Sequence, residues 1–280
     1  MEKTKTKATS STSHKNNKLS ILISQDGLCF CGSVDGKIND IFVKDFSERQ
    51  TPEKILTALK SSDTALFLNK AKAAQPTVEV FYANGLFTLV PLPYFQEEKL
   101  SDYLKYNIKL LETDEIAYDY IEEIDANAVY IPYVNINNYL FDTFGEFSFH
   151  HYTVPIISST LNISESNSDE NVLVEVFNNH FIIAVVKNGK LLLCNNFDYY
   201  SHEDLVYYML FVIQQLELDK EALYLHLSGT IKKSSKAHYL LRNYIRNIAF
   251  LEQEGLFSIN DTATLDKALA KRFQLFLNTI

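Results

Sequence analysis

Glycine and proline are scarce in this chain, eight and six in 280 residues, and tryptophan is absent. So few chain breakers exclude a collagen-like or low-complexity protein, and 46% hydrophobic with 13% aromatic residues excludes wholesale disorder. Three cysteines, Cys29, Cys31 and Cys194, are too few for a disulfide framework, and Cys29-Phe30-Cys31 lacks the two-residue gap of a zinc knuckle. They read as buried thiols, and no metal site is expected. Long apolar runs are missing as well. The stretch Leu205 to Ile213 is about half of what a membrane-spanning helix needs, and the N-terminus has no apolar segment of the secretory type. These absences predict a cytoplasmic protein without a membrane span. Positive charge is short too: the net charge is −9, and Met1 to Lys18 hold five lysines against one glutamate, which leaves the remainder at −13. Such a body repels phosphate backbones, so contact with RNA or anionic lipid is expected only through the lysine-bearing tail, and a protein partner of basic character fits best. Residues 1–18 are small and polar and are expected to be disordered.

What the chain does have is an internal repeat. Ser20 to Ser24 reads as a strand, Asp26-Gly27 as a turn, Leu28 to Val34 as a second strand, and Asp35-Gly36 as a turn into Lys37 to Phe46. Val172 to Phe177, Asn178-Asn179, His180 to Lys187, Asn188-Gly189 and Lys190 to Phe197 repeat this order, with both turns displaced by 153 residues. Gly, Asn and Asp suit tight hairpin turns because they tolerate positive φ. The equal spacing of both turns is the less generic feature.

Each meander leads into a helix. Thr51-Pro52-Glu53 offers an N-cap, a first-turn proline and an acid; Ser201-His202-Glu203-Asp204 opens the second helix, with Leu205, Tyr208, Met209, Val212 and Leu216 at helical spacing. The strand Leu223 to Leu227 follows. In the first half, Thr77 to Tyr82 and Leu86 to Val90 read as strands joined by Asn84-Gly85, followed by a helix from Glu97 to Leu111 and strands at Ile116 to Ile124 and Val129 to Tyr133. Asn162 to Asn171 is polar and reads as a surface linker, dividing the chain into residues 19–163 and 171–280.

A three-stranded meander, helix and further strand, present twice, resemble the paired ribonuclease-H-like lobes of the actin, hexokinase and Hsp70 superfamily, an α/β class. Val172-Leu173-Val174-Glu175-Val176, Lys187-Asn188-Gly189-Lys190-Leu191 and Leu225-His226-Leu227-Ser228-Gly229 look like the pilus-assembly PilM proteins. Phe87-Thr88-Leu89-Val90-Pro91, Asn195-Asn196-Phe197-Asp198-Tyr199 and Glu203 to Phe211 resemble an uncharacterised, Bacteroidetes-type bacterial family of this fold, over most of residues 19–250. This second resemblance implies a fold and no activity.

In the superfamily's ATPases an Asp ends the first strand of each lobe and a glycine-containing hairpin approaches the metal-bound phosphates. The resemblance puts the first Asp position on Ser24, with Asp26 and Gly27 displaced into the turn, and the second on Glu175. Phe177 stands where a glycine is expected, and the adenosine-side glycine pair is reduced to Gly229 in Ser228-Gly229-Thr230. The expected function is therefore a non-catalytic binding or scaffold module without cofactor. The alternative is a divergent ATPase or kinase that binds ATP and Mg²⁺ through Ser24, Asp26, Gly27, Glu175, Ser228 and Gly229. Read alone, Asp26-Gly27 is an ordinary hairpin turn and Glu175 a solvated or capped strand end.

No other chemistry has a pattern. Leu19 to Ser24 lacks the carboxylates of a two-metal nuclease, and no nucleophile elbow or Walker loop occurs. His150 and His151 fall on opposite faces of a strand and read as partly buried. The acids between Glu112 and Asp125, interleaved with Tyr118 and Tyr120, read as a solvated strand face ahead of a site for a cation or a basic partner. Tyrosine is abundant, with 17 copies, and Tyr199, Tyr200, Tyr207 and Tyr208 surround one strand-helix junction. These four are the candidate partner-binding residues, although lobe-to-lobe packing explains the same residues and is the stronger default. The identity of the partner and the oligomeric state are left open by the sequence.

Overall fold

The computed structural model describes residues 16–166, 170–251 and 274–279. The first meander is β1 (Asn17–Ser24), β2 (Gly27–Val34) and β3 (Lys37–Asp45); the second is β9 (Glu170–Val176), β10 (His180–Lys187) and β11 (Lys190–Asp198). All three strands of the second begin 153 residues after their counterparts. Even the irregularity repeats: register shifts between Gly32 and Ser33 on β2 and between Val185 and Val186 on β10.

Each meander is extended by two parallel strands to the same five-stranded plan. The first sheet has the order β3-β2-β1-β4-β8, with β4 at Thr77–Ala83 and β8 at Ser148–His151; the second has β11-β10-β9-β12-β13, with β12 at Tyr224–Gly229 and β13 at Asn247–Phe250. In both, the meander strands pair antiparallel and the added strands parallel. This is the expected pair of ribonuclease-H-like lobes.

Both faces of each sheet are buried, which is why β1 and β9 read as continuous apolar runs rather than alternating ones. On the outer face of the first sheet, Leu19, Ile21, Phe30 and Val80 pack under α1 (Pro52–Leu59), α2 (Ser62–Ala73) and α4 (Val134–Phe144). On the second, Val172, Val174, Phe181 and Ile183 pack under α6 (His202–Gln215) and α7 (Lys236–Leu241). The inner faces meet across a shared core in which Leu22, Cys29 and Phe81 are joined to Leu173, Phe177 and Ile182 through Tyr152, Ile156 and Phe276. Ile156 belongs to α5 (Thr153–Ser166) and Phe276 to α8 (Gln274–Thr279).

A small third sheet, β5-β7-β6, is inserted between β4 and β8, with β5 at Phe87–Pro91, β6 at Ala117–Ile121 and β7 at Ala126–Tyr130. Here the structure corrects several expectations. Asn84-Gly85 does not close a hairpin, because β4 and β5 lie in different sheets; the Asn84 side chain instead accepts from the Leu86 N–H and donates to the Ile131 carbonyl. The helix expected from Glu97 to Leu111 is a 3-10 turn at Glu97–Lys99 followed by α3 (Leu100–Leu104). Beyond it the chain curls so that Ile108 and Leu110 seal the small sheet, at residues such as Tyr106 and Asn107 that favour helix weakly. Asn162 to Ser166 are no linker but the last turns of α5, whose buried Ile156, Ile157 and Thr160 set a helical period that their polar neighbours hide. Asn171 is buried in β9. Of the tail, residues 1–15 lie outside the described residues, whereas Asn17 and Lys18 start β1.

Only the second turn of each meander has the positive φ expected of primed hairpins: Asp35 and Gly36 at 50° and 75°, Asn188 and Gly189 at 51° and 70°. The first turns do not. Gly27 is glycine for another reason, since a Cβ there would stand 2.8 Å from the Lys44 carbonyl oxygen of the adjacent strand.

Candidate functional site

The two first turns, Gln25-Asp26 after β1 and Asn178-Asn179 after β9, face each other between the sheets. Asp26 is wholly buried, and its Oδ2 accepts the backbone N–H of Asn178 at 2.5 Å. His180, also buried, brings Nδ1 to 3.8 Å from the same oxygen. Burial holds the His180 imidazole down at a pKa of about 4, against the opposing pull of Asp26, so near neutral pH the ring is uncharged. It stacks on Phe177 with centroids 4.4 Å apart and planes 5° from parallel. Around this pair, Arg49 donates from Nη1 to Asp198 at 3.1 Å and from Nε to Gln25 at 2.5 Å, and the Asn178 amide reaches the Phe46 carbonyl at 3.4 Å. Buried Asp26 Oδ1, Tyr133 Oη and both His180 nitrogens have no hydrogen-bond partner among the described residues.

Ser24 lies beside this contact, buried, with its hydroxyl donating to the Gly27 carbonyl at 3.1 Å and accepting from the Asp26 N–H at 3.2 Å. Its side chain is thus a brace for the turn. Glu175 is not the solvated strand end that the sequence suggests: it is buried on the inner face of β9, at the position equivalent to Leu22, with Ser228 opposite in register. Its charge is one reason, after burial, that the Tyr152 phenol is held in its protonated form. Gly229 adopts φ of 88°, and a Cβ there would lie 2.0 Å from the Val176 carbonyl oxygen, an oxygen that also accepts the Thr230 N–H at 2.7 Å. The nucleotide-type candidates Ser24, Asp26, Gly27, Glu175, Ser228 and Gly229 therefore lie at the ends of β1, β9 and β12 and in the turn into β2.

The four tyrosines divide. Tyr208 packs into the second core against Phe197, and the Tyr199 hydroxyl donates to the Phe177 carbonyl at 2.5 Å. Tyr200 and Tyr207 are exposed at 95% and 62%, and Tyr207 stacks on Phe211, itself exposed. The sequence pattern did not single out Arg49, Asn178, His180 or Asp198 as site residues. The repeat held a signal for one of them, since His180 stands 153 residues after Gly27.

Elsewhere the chemistry is structural. His151 is buried, bonded to Thr153 and to the Asn84 carbonyl, and burial lowers its pKa to about 3. His150 is partly exposed at 3.0 Å from Asp119, which raises its pKa. Cys29 and Cys31 are buried, and burial pushes the Cys31 thiol up to about 12. No cluster of three metal-ligating side chains occurs among the described residues, and no described helix is long and apolar enough to cross a membrane.

With this geometry in hand, the likeness to known proteins is specific in fold. A protein with actin-like ATPase fold and unknown function from Bacteroides thetaiotaomicron superposes with a TM-score of 0.75 at 22% identity, over 88% of this chain and 94% of its own. A structure of the PilM-PilN type IV pilus biogenesis complex follows at 0.59 and 11% identity, over 93% and 96%. No curated protein sequence matches the chain. The sequence resemblances to an uncharacterised family and to PilM both lead to the same fold, an actin-like arrangement of two ribonuclease-H-like lobes. A family model described as protein of unknown function (DUF3822) matches residues 6–248, most of the chain, and the chain belongs to that family.

Proposed function

We propose that this protein is a non-catalytic binding or scaffold module whose inter-lobe nucleotide site is degenerate. The observation that carries the reading is the contact of the buried Asp26 carboxylate with the N–H of Asn178, an exposed turn residue. Backbone N–H groups of such a turn suit the oxygens of a phosphate, and here a carboxylate of the same chain holds one of them. Phe177 and His180, stacked in the next layer, fill volume in which a polyphosphate would need polar donors. A triphosphate with Mg²⁺ fits these residues poorly: the Asn178 N–H is already held by Asp26, and the neutral His180 supplies no positive charge to the phosphates.

Partner binding is the activity left to such a fold. PilM, of similar fold, has a structure in complex with PilN. That precedent supports a protein partner here, with Tyr200, Tyr207 and Phe211 as the aromatic anchors that interfaces favour. Calorimetric titration of the full chain with ATP and Mg²⁺ tests the reading. No heat of binding is expected; a Kd tighter than about 100 μM, roughly −5.5 kcal/mol, would overturn the degenerate site and favour the divergent ATPase or kinase.

A further inference from the structure

The inserted small sheet presents an exposed face that the cleft reading does not use. Leu92, Tyr94, Tyr118 and Tyr120 stand open around it, between 38% and 75% exposed, held together by Phe95 packed between Tyr103 and Tyr118 and by the Leu92 N–H bonded to the Asp125 carbonyl. Residues 92–125 also hold ten acids against three lysines, a local charge of −7 in a chain of net −9. The two features interlock. Tyr120 donates to Asp125 at 3.0 Å, and the charge of Glu97 keeps the Tyr118 phenol protonated. A surface of aromatic faces rimmed by carboxylates suits lysine, whose ammonium sits over a ring while its aliphatic stem covers apolar area. This chain already contains such contacts, with the Lys105 ammonium 5.2 Å from the Tyr106 ring centroid and that of Lys60 5.4 Å from Tyr139.

We propose that this face is a docking surface for the protein's own N-terminal segment, Met1 to Lys15. The segment carries Lys3, Lys5, Lys7 and Lys15 against Glu2 alone, opposite in sign to the face. Its point of attachment is close. Lys18 on β1 pairs with Glu79 on β4 at 2.7 Å, Glu79 lies 3.8 Å from His150 on β8, and His150 lies 3.0 Å from Asp119 on β6. That relay crosses about three strand spacings, roughly 15 Å, and ends on the side of β6 opposite Tyr118 and Tyr120, so the segment has to pass the free edge of β6 to reach them. Fifteen extended residues reach about 50 Å. Tethering supplies an effective concentration on the order of millimolar, which lets individually weak lysine contacts occupy the face and makes the docked segment a competitor for any basic partner. This inference stands apart from the proposed function, since it needs neither an empty nor a filled cleft.

Carbodiimide coupling, which joins lysine ammonium to carboxylate only where they touch, tests it on the full chain, mixed in equal parts unlabelled and ¹⁵N-labelled. Mass spectrometry is expected to find Lys3, Lys5 and Lys7 coupled within one molecule to Glu97, Glu98, Glu112, Glu115, Glu122 or Glu123. The yield should fall about tenfold when salt is raised from about 20 mM to 0.5 M, as the screening length contracts. The double variant Tyr118→Ser, Tyr120→Ser should cut it at least about threefold while leaving coupling of Lys105 to Asp102, 2.7 Å apart in the native chain, unchanged. Coupling spread evenly over other exposed acids such as Glu48, Glu146 and Glu217 would overturn the proposal. So would products that join labelled to unlabelled chains, which would make a second copy the occupant.

Discussion

The two meanders have the same backbone and almost none of the same side chains. Strand starts, the β2 and β10 bulges and the left-handed second turns coincide at a constant displacement. The inner-face residues do not: Leu22 corresponds to Glu175, Ser24 to Phe177, Asp26 to Asn179 and Gly27 to His180. What the duplicated backbone retains is set by strand pairing and turn geometry, which each lobe must satisfy alone. What has diverged lies where the lobes touch, and there the copies have become complementary: the acid of one turn caps the backbone of the other.

That comparison breaks most sharply at Gly229. Its register equivalent in the first sheet is Tyr82, an ordinary strand residue paired with Ile23 as Gly229 is paired with Val176 on β9, whereas Gly229 combines left-handed φ with a close carbonyl. Gly229→Ala should therefore cost about 3 kcal/mol, read as a lower urea midpoint. A loss below about 1 kcal/mol would mean that the strand end can shift freely.

Acid should also distinguish the turns. His180 has a folded pKa of about 4, below its usual value, so the unfolded chain takes up a proton first as pH falls. Stability is then full above about 6.5 and declines toward pH 4, by about 3 kcal/mol from this group. His151, lowered to about 3, adds to the same decline. His180→Gln should flatten the urea midpoint between pH 7.5 and 4.5 without abolishing its slope. An unchanged slope would remove burial of His180 as the cause.

Between the equivalent positions Asp26 and Asn179, the effects should be unequal. Asp26→Ala removes a charged acceptor and leaves the Asn178 N–H without it, a loss of about 2 kcal/mol. Asn179 is only half-buried, and its backbone carbonyl, not its side chain, accepts from Tyr199. Asn179→Ala should stay within about 0.5 kcal/mol. Equal losses in a denaturation series would show that the contact between turns carries no weight.

A smaller loss than at Asp26 is expected where the copies should agree. Gly36 and Gly189 have φ of 75° and 70°, and a Cβ at either would point into open space. Gly36→Ala and Gly189→Ala should each cost about 1 kcal/mol from backbone strain alone, and thermal melts that separate them would end the equivalence of the two turns.

Much of this was legible in the chain itself. The 153-residue displacement predicted both meanders, and the caps at Ser201 and Thr51 marked the starts of α6 and α1; Ser201 accepts from the Asp204 N–H at 3.1 Å, while Thr51 makes no side-chain cap and leaves the task to Pro52 and Glu53. Local periodicity misled where tertiary packing took over. Asn84-Gly85 has hairpin chemistry, yet Gly85 is pressed against the Asn196 side chain of the other lobe, and the chain turns into a separate sheet. The polar surface of α5 hid a helix whose buried side faces β9 and β10.

The sequence by itself determined the duplicated sheets, because turn residues and strand periods act over neighbours a few positions apart and recur at a fixed distance. Only the tertiary structure decided what lies between the lobes. Asp26 and Asn178 are 152 residues apart, and no local signal in the chain says that one bonds the other. Burial decided the rest: a carboxylate, an imidazole and a phenyl ring that look like surface or strand-end residues in the chain become, once the inner faces close, a packed and hydrogen-bonded contact. Their chemistry follows from exclusion of water, which residue type alone does not specify.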